Sequence, residues 1–493
     1  MEATPMSRHA AALWLTVCAV ALLGGGAACH DAIVALPPPS LSAVAVQANP
    51  LNALSVVATF DVQRADSARL SYWTDGDAVA TTPSYAVGAG PASIVALGLL
   101  PNTGYHLAVA AVGPGGAITS DTLAYRTADL PEILQGVHLS IVGTAPPGYL
   151  VTEVSHDSGA FVLAFDPEGQ IRWYERIPIH PDESAMETKQ LPNGDFTVYV
   201  GASTGWQPVG GRFIEFRPDG AIVRVYAAGA PYYTDNHELL VTMTGDGVTA
   251  AHLFGYDMRT VDLTALGGRA DQLVAGHSIL RQSASGTTEF LWNAWDHFSL
   301  ADWVFVPPNL GLYPSIDFDH PNSLAIDRDG NYVVSFAMLG EIAKIDAVTG
   351  EMLWRFGGRH NQFSIVGDPL NGFGFQHDVR VLDNGDLLFY DNGLLHNPPE
   401  SRAVQYRLDL QAKTATLVWQ FRHDPLVFTP FVGSVQRLRS GNTLVGYGAT
   451  SSMTEVTAEG QVVWQGRLTL NGHALPFFYR VRRIGSLYRY VQP

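Results

Sequence analysis

The sequence predicts an all-β protein: a small β-sandwich over residues 40–128, followed by a six-bladed β-propeller over residues 135–493. Three observations lead there. Apolar residues alternate with period two from Val44 to Ala111, in runs broken by Gly, Pro and Asn, the pattern of half-buried antiparallel strands. Beyond Pro131 a phrase of turn, strand, turn and Trp-bearing strand returns about every 40–60 residues, the length of a four-stranded blade. Helical periodicity is nowhere sustained, and 49 Gly with 10 Trp, 19 Tyr and 22 Phe suit short strands joined by tight turns.

Composition narrows the function. Only 15% of the 493 residues are charged and 47% are hydrophobic, which excludes a disordered chain and a charged coiled coil. A formal charge of -17 argues against a duplex nucleic-acid binder, since neutralising phosphates needs a surplus of Lys and Arg. Both cysteines, Cys18 and Cys29, lie near the N-terminus, so the rest of the chain has no disulfide or thiolate metal site.

Arg8 and His9 precede an uncharged run from Ala10 to Ala28, which reads as a secretory signal. Its apolar part is too short to span a bilayer. Gly26, Ala27 and Ala28 before Cys29 resemble the lipobox of bacterial lipoproteins, with Gly26 where Leu is usual; an ordinary cleaved signal is the alternative. The expectation is removal of residues 1–28, lipidation of Cys29 and export to the cell envelope. Residues 29–39 then form a tether stiffened by three prolines. In the sandwich, Leu100-Pro101-Asn102-Thr103-Gly104-Tyr105 resembles the corner of fibronectin type III modules, where a Tyr hydroxyl ties the turn to the backbone.

Six blades are expected to begin near residues 148, 184, 235, 319, 375 and 429, the third being long and irregular. Their outer phrases rhyme: FDPEGQIRWYERI (165–177), FRPDGAIVRVY (216–226), IDAVTGEMLWRFGG (345–358) and VTAEGQVVWQGRL (456–468). Trp173, Trp354, Trp419 and Trp464 read as packing between blades rather than as chemistry.

Histidine is where chemistry enters. Three of the 16 open a blade just before its first strand: His237 in TDNHELLV, His320 in DFDHPNSLAID and His377 in FGFQHDVRVLDNG. A propeller aims such positions at one axial mouth. Taken singly, each is also a plausible turn residue capping strand backbone. Three His can hold zinc, but no local ligand spacing such as H-E-x-x-H is present, and neither a metal nor a cofactor is expected. No G-x-S-x-G, P-loop or dinucleotide phrase occurs, and the Asp-Thr-Gly-Trp pattern of quinoprotein propellers is complete only at 346–354.

The run DFDHPNSLAIDRDGNYVVSFAMLGEIAKIDAVTGEMLWRFGG (317–358), followed by FGFQHDVRVLDNGDLLFYDNG (373–393), resembles the aryl-sulfate sulfotransferase family of bacteria and fungi. NHELLVTMTGDG (236–247), LWNAWDHF (291–298) and HALPFFYRVRRIGSLY (473–488) extend the resemblance to about residues 135–490. The resemblance implies transfer of a sulfuryl group from a phenolic sulfate ester to a phenolic acceptor, with no nucleotide sulfate donor. It implies that His377 carries the group and that His237 and His320 act as oxyanion donors or as the acid for the departing phenolate. Asn322 is a candidate to orient one of these histidines. Where the family carries a sulfate-gripping Arg, this chain has Ala337. Either another base replaces it, with Arg355, Arg359 and Arg380 as candidates, or sulfate is not the group bound. The second reading is a non-catalytic surface lipoprotein whose propeller binds an anionic or aromatic ligand or a protein; a homodimer is compatible with either.

Overall fold

In the computed structural model, residues 36–493 are described except 77, 157–158, 203–209, 476, 490 and 492–493; the signal segment and Cys29 lie outside the described residues. β-strand accounts for 53% of the chain and helix for 4%, so the expected near-absence of helix holds. Among the described residues no helix is long and apolar enough to cross a membrane.

Two sheets come first. Ser40–Ala48, Val56–Gln63 and Gly90–Ala96 pair antiparallel in one; Ser67–Trp73, Gly104–Gly113, Gly116–Thr119 and Leu123–Arg126 form the body of the other. Val56, Ala58, Phe60 and Val62 point inward at every second position and share one apolar cluster with Leu70, Leu107, Val109 and Ala111. The corner read from the sequence closes as expected: the Leu100 amide donates to the Tyr105 hydroxyl at 2.9 Å. The Asn52 amide donates to the Tyr174 carbonyl at 2.6 Å and the Arg172 guanidinium to the Gly98 carbonyl, which ties these sheets to those that follow.

Six further sheets follow in chain order, their antiparallel meanders beginning at Tyr149, Glu183, Tyr233, Pro321, His377 and Ser434, within a few residues of the expected starts; Ser315–Asp317 and Ser364–Val366 add a short parallel strand to the third and fifth. The first strand of each packs on the first strand of the next. The third sheet is the long one, with strands Tyr233–Thr244, Gly247–Val261, Gln272–Ser283 and Thr288–Asn293. Its neighbours recur in a simple interlock. The indole N–H of Trp173 donates to the Pro218 carbonyl, that of Trp292 to Gly350 and that of Trp419 to Ala458, each reaching the outer turn of the next sheet. An aromatic stack reinforces the first of these, Trp173 lying 4.9 Å from Phe196. Trp173 and Trp464 are fully buried, in keeping with a packing role.

The closure was not legible in the sequence. Val137–Gly143 pairs with Val462–Leu470 and so completes the last sheet, while Arg482–Ile484 pairs with Tyr149–His156 in the first. Side-chain bonds from Ser434 and Gln436 to the backbone of Val481 and Arg483 then join the sixth sheet to the first. The segment before the first of these sheets and the C-terminal segment are thereby sewn into the last and the first sheet, and Tyr479, Arg480 and Arg482 of the latter bond residues of the second to fifth sheets.

Candidate active site

His237, His320 and His377 sit at the start of first strands in three consecutive sheets, the third to fifth. The rings of His237 and His320 are 4.4 Å apart, centroid to centroid. Phe375 stacks on His320 at 5.9 Å and lies 5.8 Å from His377, so one phenyl ring touches both. His237 and His377 are buried, and the His320 side chain keeps 18% of its surface exposed.

The chain holds these rings by local means. Asp235 accepts both the backbone amide (2.8 Å) and the Nδ1 proton (2.9 Å) of His237. Asp317 does the same for His320, at 3.0 and 2.6 Å. A carboxylate can only accept, so Nδ1 carries the proton in both rings and Nε2 faces away from the backbone. His320, Phe375 and Asp378 all adopt positive φ, 48°, 59° and 57°, a conformation that costs energy for residues with a Cβ and that gathers here at one place.

His377 is held differently. Its Nδ1 faces two acceptors, the Asn392 side-chain oxygen at 2.7 Å and the Phe375 carbonyl at 3.1 Å. The amide orientation of Asn392 is fixed in turn, because its nitrogen donates to the carbonyls of Thr429 and Val432. Nδ1 of His377 must therefore bear the proton, leaving the Nε2 lone pair free. Burial, with the neighbouring His320 and His237, pushes its pKa down to about 3. It is a neutral imidazole at any ordinary pH. Burial also lowers His237, against the pull of Asp235. His320 ends in the opposite state: burial disfavours its charge, but Asp317 and Asp235 outweigh burial and raise its pKa. The site thus sets a ring held neutral beside one whose protonation is favoured, a division that acid and base steps need.

A family model described as arylsulfotransferase (ASST) matches residues 221–469, just over half of the chain and all three histidines. The chain belongs to the arylsulfotransferase family. No curated protein matches it. Among solved structures it is similar to a protein of unknown function from Bacteroides caccae, at 15% identity and TM-score 0.42, covering 69% of this chain and 100% of that one. It is also similar to a catalytically inactive virginiamycin B lyase from Staphylococcus aureus with quinupristin, at 12% identity and TM-score 0.34, covering 84% and 99%. At these scores neither bears on the chemistry of this arylsulfotransferase.

The sequence-derived polar candidates fall in different places. Asn322 is fully buried and donates to the Gln376 carbonyl at 2.7 Å, so it fixes the backbone leading into His377 rather than a histidine ring. Arg355 makes a two-pronged bond to Glu341, at 2.6 and 2.8 Å. Arg380 is held by Asp378 and Glu238. Arg359 is exposed, with Nε on the Trp303 carbonyl at 3.0 Å. None has a described contact with the three histidines. The group beside His377 whose protonation is favoured is His320 itself.

Sequence reasoning missed the layer around these rings. Arg480, nearly fully buried, bonds Glu187 at 2.5 Å, Glu238 at 2.9 Å and the Asn322 carbonyl at 2.7 Å, and its guanidinium lies 4.9 Å over the Tyr479 ring. Arg482 grips Asp378 at 2.6 and 2.8 Å. Three Arg within Arg480-Val481-Arg482-Arg483 of an otherwise apolar C-terminal run were the available signal. His277, which the sequence alone does not single out, is buried among Asp235, Asp317 and Asp319. His277, Asp317 and Asp319 are also the one group among the described residues whose ligand atoms all lie within 4.8 Å of one another.

Proposed function

We propose that the protein is an exported arylsulfotransferase that passes a sulfuryl group from a phenolic sulfate ester to a phenol through a sulfo-histidine at His377. In this reading the six sheets are propeller blades, residues 40–128 are a fibronectin III-like sandwich, and a lipid on Cys29 holds the mature chain at the cell envelope. The observation that carries it is the fixed tautomer of His377, whose Nδ1 proton is spent on Asn392 and Phe375 while Nε2 is left free.

In the first step the Nε2 lone pair forms an N–S bond as the aryl O–S bond breaks, and the phenolate leaves with that electron pair. The His320 proton passes to the phenolate, giving neutral phenol. In the second step the acceptor phenol yields its proton to the now neutral His320 as its oxygen attacks sulfur; the N–S bond breaks and His377 is restored. His237, neutral and with its one proton on Nδ1 toward Asp235, presents an Nε2 lone pair rather than an oxyanion donor, and its ring lies 4.4 Å from that of His320. Phe375, touching both His320 and His377, offers an apolar face for the aryl ring. The cationic His320 supplies charge that Ala337 does not.

The test is purified full-length protein with 4-nitrophenyl sulfate and a phenol, read by nitrophenolate release and by the sulfated product. Release without a phenol-dependent product, or no release with any phenol, contradicts the proposal. The charge states give a further expectation. Donor cleavage needs neutral His377 and protonated His320, so its rate stays level through mild acid and falls as pH rises through the raised His320 pKa. Asp317→Asn removes the carboxylate that raises it, and the alkaline limb is expected to move down by about one to two pH units. A limb that does not move assigns the acid elsewhere.

A further inference from the structure

His277 lies on the third strand of the third sheet and is 1% exposed. Its Nδ1 is 2.6 Å from Asp319 Oδ1 and 3.9 Å from Asp317 Oδ1; its Nε2 faces Asp235 Oδ2 at 3.5 Å, too far for a good hydrogen bond but within ion-pair range. Both ring nitrogens thus look at carboxylate oxygens, which accept when ionised. Two of these carboxylates are the ones that hold the site: Asp235 bonds His237 Nδ1, and Asp317 bonds His320 Nδ1. The described ionisable groups around His277 are Asp235, Asp317 and Asp319, the rings of His237 and His320, and Tyr256, whose ring stands 4.6 Å away on the adjacent strand. Among the described residues Asp319 has no ion-pair partner other than His277, and its Oδ2 is buried without a hydrogen-bond partner.

We propose that His277 is a positioning residue: a permanently protonated imidazolium that bridges Asp235, Asp317 and Asp319 and so fixes the tautomers and charge states of both substrate-facing histidines. This rests on the sulfotransfer reading for its consequence but not for its charge. Three buried carboxylates with one neighbouring cation would be an unsupported arrangement, since buried charge persists only when paired. With His277 doubly protonated, Asp235 and Asp317 stay ionised and keep their grip on the two Nδ1 protons. Its charge also opposes a second proton on the pair, so that His320 can be cationic while His237 is neutral. The same direction appears in the electrostatics, where His277 lowers the tendency of His320 to protonate. His277 touches no substrate; it acts through the two aspartates.

The test compares wild type with His277→Asn, which keeps a donor toward Asp319 but carries no charge. Expected are a loss of about tenfold or more in kcat for nitrophenyl sulfate cleavage, a KM changed by less than about threefold, and an alkaline limb moved up by about one pH unit as His320 loses a neighbouring cation. A variant with the limb unmoved overturns the proposal, since a purely structural role would lower stability without shifting the profile. If the variant does not fold, or if no aryl sulfate is cleaved, 15N-histidine spectra of the wild-type protein decide the charge. A buried imidazolium with both nitrogens protonated through pH 9 is expected. A neutral buried His277, or one divalent cation per chain by elemental analysis, overturns it. Absence of cleavage with the imidazolium present would instead count against the sulfotransfer reading alone.

Discussion

Replacing His377 by Asn is expected to abolish nitrophenyl sulfate cleavage, lowering kcat by about four orders of magnitude or more while the fold survives. Removal of a covalent nucleophile has effects of this size in other enzymes. The expectation follows from one nitrogen. Nδ1 is committed to Asn392 and to the Phe375 carbonyl, and burial keeps the ring neutral, so Nε2 is the one atom of this side chain available to sulfur. An Asn side chain has an amide that can still donate toward Asn392, which preserves the local bonds and removes the lone pair. Steady-state release, an initial burst and the melting temperature, read on the same preparation, separate chemistry from folding. A His377→Asn protein that still turns over at a tenth of the wild-type rate would place the nucleophile elsewhere.

Arg480→Met is expected to produce the largest loss of stability, about 3–5 kcal/mol, because it leaves carboxylates buried without their cation. Arg480 is the common partner of Glu187 and Glu238 and approaches Asp378 at 3.4 Å. Lys189, Arg380 and Arg482 remain nearby, but each is already engaged with one or two of the same acids. The sign of the pH dependence follows. Burial already raises the Glu187 pKa against the pull of Arg480 and Lys189, and removal of Arg480 raises it further. The folded variant therefore binds a proton that the unfolded chain releases, and its deficit against wild type shrinks as pH falls from 8 toward 5. Denaturant unfolding at the two pH values measures this, and Glu187→Gln in the Arg480→Met background is expected to recover part of the loss at pH 8. A deficit independent of pH would mean that packing against Tyr479, not charge, is what Arg480 supplies.

The parts of this architecture that repeat were legible, and the parts that occur once were not. Turn phrases such as FDPEGQ and the Trp-bearing strands announced the sheets within a few residues of where they start, because hairpin pairing is local and leaves a period-two trace. The two closing strands pair with partners more than 300 residues away, and a three-residue strand such as Arg482–Ile484 carries no periodic signal. The three histidines could be found because each opens a sheet, so one position in a repeat predicts one place in space. Asn322 was singled out to orient a histidine, yet its amide points across to the Gln376 carbonyl of the next sheet, a direction no linear motif encodes. Arg355 and Arg380 were sought as sulfate ligands on grounds of nearness in sequence. Glu341 takes the first and Asp378 with Glu238 the second. His277 stands mid-strand in AGHSIL, where it looks like any core histidine until folding brings three aspartates to it.

The most direct test of the central claim is to trap the intermediate. Wild-type protein mixed with 4-nitrophenyl sulfate, quenched under alkaline conditions and digested, is expected to show one added SO3 on the peptide that contains His377, and on no other. The label should disappear when a phenol is added before the quench, and should be absent from His377→Asn. Nitrophenolate release with no labelled peptide, or a label on His320 or His237 instead, would contradict the assignment of His377 as the carrier.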